Sequence, residues 1–165
     1  MLRTLFGLTS LILLLAFIGY AAIGAPADPS PTDLNLTASP VLAGNGTWRL
    51  QFELQYTGER PLVVSERSFP WKSPRDLLLV VTPLNAASMR LAEFDVPPQA
   101  LPQAFLTLNP GDTVTGSVNL SARFPGLAAA IRESEVIVFW SHQIRSMESP
   151  PLSRLNGGVV ITRQN

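Results

Sequence analysis

The 165-residue chain has one histidine, His142, and no cysteine, and these two facts bound most of its possible chemistry. A single imidazole excludes a zinc site built on several histidines, and with it the His-Glu-x-x-His arrangement, within one chain. Zero cysteine removes disulfides, thiolate metal ligands and a cysteine nucleophile. Ser141 is beside His142 and Glu148 six residues on, but a serine–histidine–acid relay would need one of several serines and an acid to converge on it from elsewhere. No Gly-x-Ser-x-Gly elbow accompanies them. His142 continues the alternation of Val136, Val138 and Trp140, so it reads as an ordinary histidine near the end of a strand.

The carboxylates offer little more. Glu133 and Glu135 are two apart, a spacing that puts both on one side of an extended segment, where a solvated loop is the plain reading. Asp112 follows Pro110-Gly111 and reads as a turn-stabilising acid. No Asp-rich loop supplies the several oxygens that calcium requires, and no Gly-rich loop with a lysine cradles a phosphate. No catalytic residue, metal ligand or cofactor is expected.

Binding is better provided for than catalysis. Phe69-Pro70-Trp71-Lys72-Ser73-Pro74-Arg75 sets two aromatic rings in a proline-stiffened loop, with Lys72 and Arg75 at its rim. With Trp140 and His142, these residues (Phe69, Trp71, Lys72, Arg75, Trp140, His142) form the candidate interaction surface. The competing expectation is that Phe69 and Trp71 fold back to close one end of the domain. Pro97-Pro98 and Pro150-Pro151 are stiff segments of the same kind.

These residues must be positioned by strands. Trp48, Leu50, Phe52, Leu54 and Tyr56 alternate with Arg49, Gln51, Glu53 and Gln55, which predicts a strand with one buried and one wet face. Leu34, Leu36 and Ala38 alternate in the same way, with Pro40 interrupting before Val41-Leu42. Leu62–Val64 and the long segment Glu135–Ile144 are further strands. Leu77–Val81 is apolar throughout and predicts a strand covered on both sides. Met89, Leu91 and Phe94 suggest another short strand, and Phe105, Leu106 and Leu108 resume the pattern. Asn109-Pro110-Gly111-Asp112 is a turn in which Pro sets φ and Gly supplies the permissive conformation. Val114, Val118 and Leu120 follow, with Gly116 as a bulge or a close approach. Pro125–Arg132 predicts about two turns of helix, and Gly157-Gly158 precedes a terminal strand, Val159–Ile161.

Seven to nine short strands without crossover helices predict an all-β fold, an antiparallel immunoglobulin-like β-sandwich, with a small barrel as the runner-up. The segment from Phe105 through Asn109-Pro-Gly-Asp112 to Ser121, then Phe124, Val136–Trp140 and Gly157–Ile161, resembles the immunoglobulin-like accessory sandwiches of some secreted metalloproteases and bacterial envelope proteins. That resemblance implies a domain that binds or braces other proteins rather than one that catalyses. It covers about the last third of the chain, and Arg132-Glu133-Ser134-Glu135 replaces the Gly-x-Tyr type of entry to the long strand.

The opening residues set the destination. Arg3, the apolar run Leu5–Ile23 and the small residues around Gly24-Ala25-Pro26-Ala27 predict a secretory signal over 1–27. Cleavage would follow Ala27 or Gly24. A retained signal anchor is the alternative, since Leu5–Ile23 can cross a bilayer core of about 30 Å as a helix. Either way, the residues from about 28 onward are exported, periplasmic or secreted. Residues 28–33 are a Pro-rich linker, and 34–165 form one domain.

The chain has 12 basic and 12 acidic residues, which speaks against a cationic nucleic-acid surface. Eleven of the basic residues are arginine and one is Lys72, a composition associated with GC-rich genomes and hence with a bacterial envelope. The expected function is therefore non-enzymatic: binding a protein partner or supporting an envelope assembly. Two alternatives stay open, a protease inhibitor acting through a loop, and a small-ligand carrier or hydrolase with a pocket near Trp71, Trp140 and His142. Asn35, Asn45 and Asn119 match a glycosylation pattern that matters only in a eukaryotic secretory pathway.

Overall fold

The computed structural model describes residues 33–86, 89–95, 97, 102–147 and 152–163. The leader 1–27, the linker apart from Asp33, and Glu148, Pro98 and Pro150-Pro151 lie outside the described residues. Eight strands are described: β1 (Leu34–Leu42), β2 (Trp48–Tyr56), β3 (Leu62–Ser65), β4 (Leu78–Pro83), β5 (Phe105–Leu108), β6 (Thr113–Asn119), β7 (Val136–Gln143) and β8 (Arg154–Ile161). Between β6 and β7 lie two short helices, α1 (Leu120–Arg123) and α2 (Leu127–Glu133). The chain is mostly β, its paired strands are antiparallel, and they do not close into a barrel.

Three sheets result, ordered β1-β2-β6, β3-β5 and β4-β7-β8. Beyond β7 the chain runs onto the free side of β3, where Ser65 N–H donates to Arg145 C=O and Met147 N–H to Val63 C=O. The alternation in β2 holds as expected: Leu50, Phe52, Leu54 and Tyr56 are buried, with polar neighbours turned outward. Val136, Val138, Trp140 and His142 of β7 are buried too, with Ile137 and Phe139 on its other face. Phe52 of β2 meets Trp140 of β7 edge to face, centroids 5.6 Å apart, so the apolar faces of two sheets share one core.

Pro40 does not interrupt β1, which runs through it. Thr57 N–H bonds Asp33 C=O, which fixes the frame in which odd-numbered residues of β1 bond to β2 in the alternating antiparallel pattern. Pro40 therefore turns its missing donor toward the free edge, where no ladder bond is lost. Gly111 lies at φ +88°. Its N–H donates to Tyr56 C=O, while Tyr56 N–H donates to Asp112 C=O, a glycine bulge at the entry to β6. Asp112 Oδ2 accepts from Asn109 N–H at 2.7 Å and closes the turn as read from the sequence.

Two further expectations are corrected. Leu77–Val81 is not covered on both sides, because the outer face of β4 has nothing over Leu78, which is 55% exposed. Met89–Phe94 is not a strand. Its backbone bonds go to separate elements, Leu91 N–H to Val81 C=O and Phe94 N–H to Arg123 C=O, so no ladder forms. The segment straps the edge of β4 instead.

Candidate binding site

The loop after β3 begins with a short 3-10 turn, Glu66–Ser68. Ser68 Oγ donates to Ser65 C=O at 2.6 Å, and Lys72 and Ser73 N–H both return to Phe69 C=O. Asp76 N–H donates to Ser73 C=O, and Ser73 Oγ donates to the Asp76 carboxylate at 2.9 Å. These consecutive turns hold Phe69 inward and Trp71 half out. The two rings stack, centroids 5.0 Å apart and 12° between planes. Trp71 lies over Gly116 of β6, where a Cβ would come within 2.2 Å of the indole. The glycine is thus a close approach, and the bulge belongs to Gly111.

A cleft of about 350 Å³ opens beside that ring, lined by Trp71, Pro74, Phe94, Pro97, Val118 and Ala122 among others. Phe94 is 64% exposed and stands at the rim of this cleft. A second cleft of about 550 Å³ continues past Phe94, Asp95 and Arg123 to Arg75, Leu78 and Arg154. The two share those three residues and so meet at the strapping segment.

Arg123 organises this region. It is buried, with Nη1 donating to Pro74 C=O and Nη2 to Leu77 C=O, both at 2.7 Å. Its Nε donates to Glu93 Oε1 in a close ion pair. One guanidinium therefore ties α1 to the loop before β4 and to the segment before Pro97. Its planar fork suits several fixed acceptors at once.

The six residues singled out from the sequence do not make one surface. Phe69, Trp140 and His142 are buried, Trp71 is half-buried, and Lys72 and Arg75 are exposed. Phe69 and Trp71 fold back against the core, the competing expectation stated above. The described clefts involve Trp71 but neither Trp140 nor His142, because the even-numbered face of β7 points into the core. Ser141 lies on the opposite face of β7 from His142. Glu133 closes α2 and Glu135 follows it, both exposed. Among the described residues no three His, Asp or Glu side chains gather as a metal site.

His142 is fully buried, its Nε2 against Ser68 C=O, and its Nδ1 is without a hydrogen bond. Burial lowers its pKa below the ordinary 6.5, against the opposing pull of the Ser68 carbonyl and of Asp76, while Arg154 adds to the lowering. The unfolded chain then binds the extra proton first, so stability rises with pH through this range. Unfolding free energy is expected to fall as pH drops below about 6.5. A His142→Asn variant should lose most of that slope, which urea titrations at paired pH values would check.

Pro97 belongs to a stiff segment the sequence marks, whereas Phe94, Gly116 and Arg123 carry no such mark as site residues. The one signal that could have found them is the lone arginine between Leu120 and Phe124, in an otherwise apolar and small stretch. Compared with models of known protein families the chain matches none, and no curated protein matches it either.

Proposed function

We propose that this chain is an exported, non-catalytic binding module, an immunoglobulin-like β-sandwich that engages a protein partner at the cleft between Trp71 and Phe94. The observation that carries the reading is the cleft itself. Trp71 is held by Phe69 and Gly116, Arg123 fixes the neighbouring segments, and Phe94 stands exposed beside them. Aromatic anchors already ordered in the free protein are what protein-binding sites use, because little side-chain entropy is lost on docking. The sheet order β1-β2-β6 facing β4-β7-β8 supports the immunoglobulin-like arrangement. The apolar run Leu5–Ile23 supports export, with the module either released or tethered near the membrane.

A photo-crosslinking residue at position 94 is expected to give one dominant protein adduct in cells. Trp71→Ala should abolish that adduct while the chain stays folded. Adducts no more specific than those from a crosslinker at exposed Arg132 would count against the reading. A phosphatase fused after Asn165 and active only outside the cytoplasm tests export separately.

A loop-directed protease inhibitor is the second reading. It draws on the segment Met89–Phe94, which is exposed yet strapped at Met89, Leu91, Glu93 and Phe94. A loop already held in one conformation loses little entropy when it enters a protease cleft. Assays against a panel of envelope and secreted proteases would separate the two.

A further inference from the structure

The free edge of β6 borders the aromatic cleft, and among the described residues no strand pairs with it. The bulge at Gly111 sets the frame in which Val114, Gly116 and Val118 exchange bonds with Leu54, Phe52 and Leu50 of β2. Thr113, Thr115 and Ser117 then turn their N–H and C=O groups away from β2. Among the described residues no backbone group bonds to them. Several of the other described edges are blunted. β1 carries Pro40 on its outward side and lies against β8, β4 is strapped by Leu91 at Val81, and β5 has four residues. Proteins guard exposed edges with proline, lysine or a covering segment. β6, Thr-Val-Thr-Gly-Ser-Val-Asn, has neither proline nor charge over its seven residues.

Ser117, Val118 and Asn119 of this edge also line the cleft with Trp71, Phe94 and Pro97. From this juxtaposition we propose that β6 is a strand-addition site. An extended segment of the partner pairs with the outward groups of Thr113–Ser117 and places one apolar side chain in the Trp71–Phe94 cleft. The inference rests on the binding reading above and specifies the partner's chemistry. The occupant is a single extended chain with an uncharged, β-branched backbone stretch and an aromatic or large aliphatic anchor. A row of unpaired amides and carbonyls is complementary to nothing so well as another extended backbone, with side-chain pockets supplying selectivity. The loop residues Phe94 and Pro97 flanking the edge favour one chain over a whole second sheet.

The probe is a library of capped nonapeptides with alternating Thr and Val, every residue type at the centre, titrated against the exported domain. The best member is expected to carry an aromatic or Leu at the centre. N-methylation of one alternate set of its amides should weaken it by about tenfold or more, and of the other set far less, since only one set faces β6. Amides of Thr113, Thr115 and Ser117 should exchange quickly in the free protein and become protected on binding. Ser117→Pro removes one outward donor and Thr115→Lys adds an edge charge; either should abolish binding, and the second serves if the first misfolds. Equal loss in both N-methyl sets, no binding by any member, or edge amides already protected in a dimer of this chain would each overturn the proposal. If Trp71→Ala abolishes the cellular crosslinked complex while Thr115→Lys leaves it intact, strand addition fails and the binding reading stands. If neither variant affects that complex, both fail.

Discussion

Replacing Arg123 with methionine is expected to destabilise the domain by about 3 kcal/mol, a loss at the low end of the range for breaking a buried charge pair. Methionine fills much of the arginine stem's volume, so the loss isolates the guanidinium. Without it, the carbonyls of Pro74 and Leu77 lose short bonds inside the protein, and each unsatisfied carbonyl costs roughly 1–3 kcal/mol. The Glu93 side chain is 37% exposed, so water screens that arm of the interaction and it contributes least. For a domain of this size the midpoint of thermal unfolding should drop by roughly 10 °C. Arg123→Lys should recover little, since an ammonium cannot reach acceptors on diverging directions from one plane. Calorimetry gives the magnitude. Hydrogen exchange gives the locality, with Leu91 and Phe94 amides losing protection before those of β7. A uniform loss across all amides would show that Arg123 supports the core generally rather than the cleft.

Strand alternation made most of the fold readable. Trp48–Tyr56 places large apolar groups on every second residue with polar ones between, and a period of two has only one structural solution. The failures came where an edge, rather than a period, decided the outcome. Pro40 looks like a break because proline lacks a donor, yet at an outward-facing edge position that donor has no ladder bond to make. Met89, Leu91 and Phe94 have strand-like residue types, but their bonds are drawn off one at a time by Val81 and Arg123. Leu77–Val81 is apolar on both faces, and an apolar run does not say whether a second layer exists to cover it. Pairing register and sheet order are tertiary facts, and the sequence records them only weakly.

The site was legible in part for the same reason. Phe69–Arg75 stood out because two rings and two prolines in seven residues are a local signal. Its division into a buried Phe69, a half-buried Trp71 and exposed Lys72 and Arg75 depends on Gly116, more than forty positions away along the chain. Phe94 gained its role only through Arg123, whose three partners lie in segments that composition gives no reason to join. Trp140 and His142 share a strand face, as the alternation required, and that face is the interior. The residue types were visible; which of them meet was not.

Replacing Trp140 with alanine is expected to be the most damaging single change, at about 3–5 kcal/mol. Two contacts converge on this indole. It meets Phe52 from the facing sheet edge to face, an arrangement that adds about 0.5–1.5 kcal/mol beyond burial. It sits opposite Gly157 in the β7–β8 register, and a Cβ there would come within 2.6 Å of the ring. β8 therefore gives up a side chain at that position to seat the indole between the sheets. Trp140→Phe keeps a ring for Phe52 but leaves a void toward Gly157, so it should cost less, about 1–2 kcal/mol. Gly157→Val tests the same geometry from the other side. It raises strand propensity and should stabilise β8 if space alone were available, but the indole must then leave its seat and the core is overpacked by about 1–3 kcal/mol. Pairing the two changes separates the causes. With alanine at position 140, Gly157→Val should turn from destabilising to neutral or favourable, since the added methyls occupy the void. Urea unfolding of the four proteins closes the cycle, and additive losses would mean that Trp140 and Gly157 do not share that space.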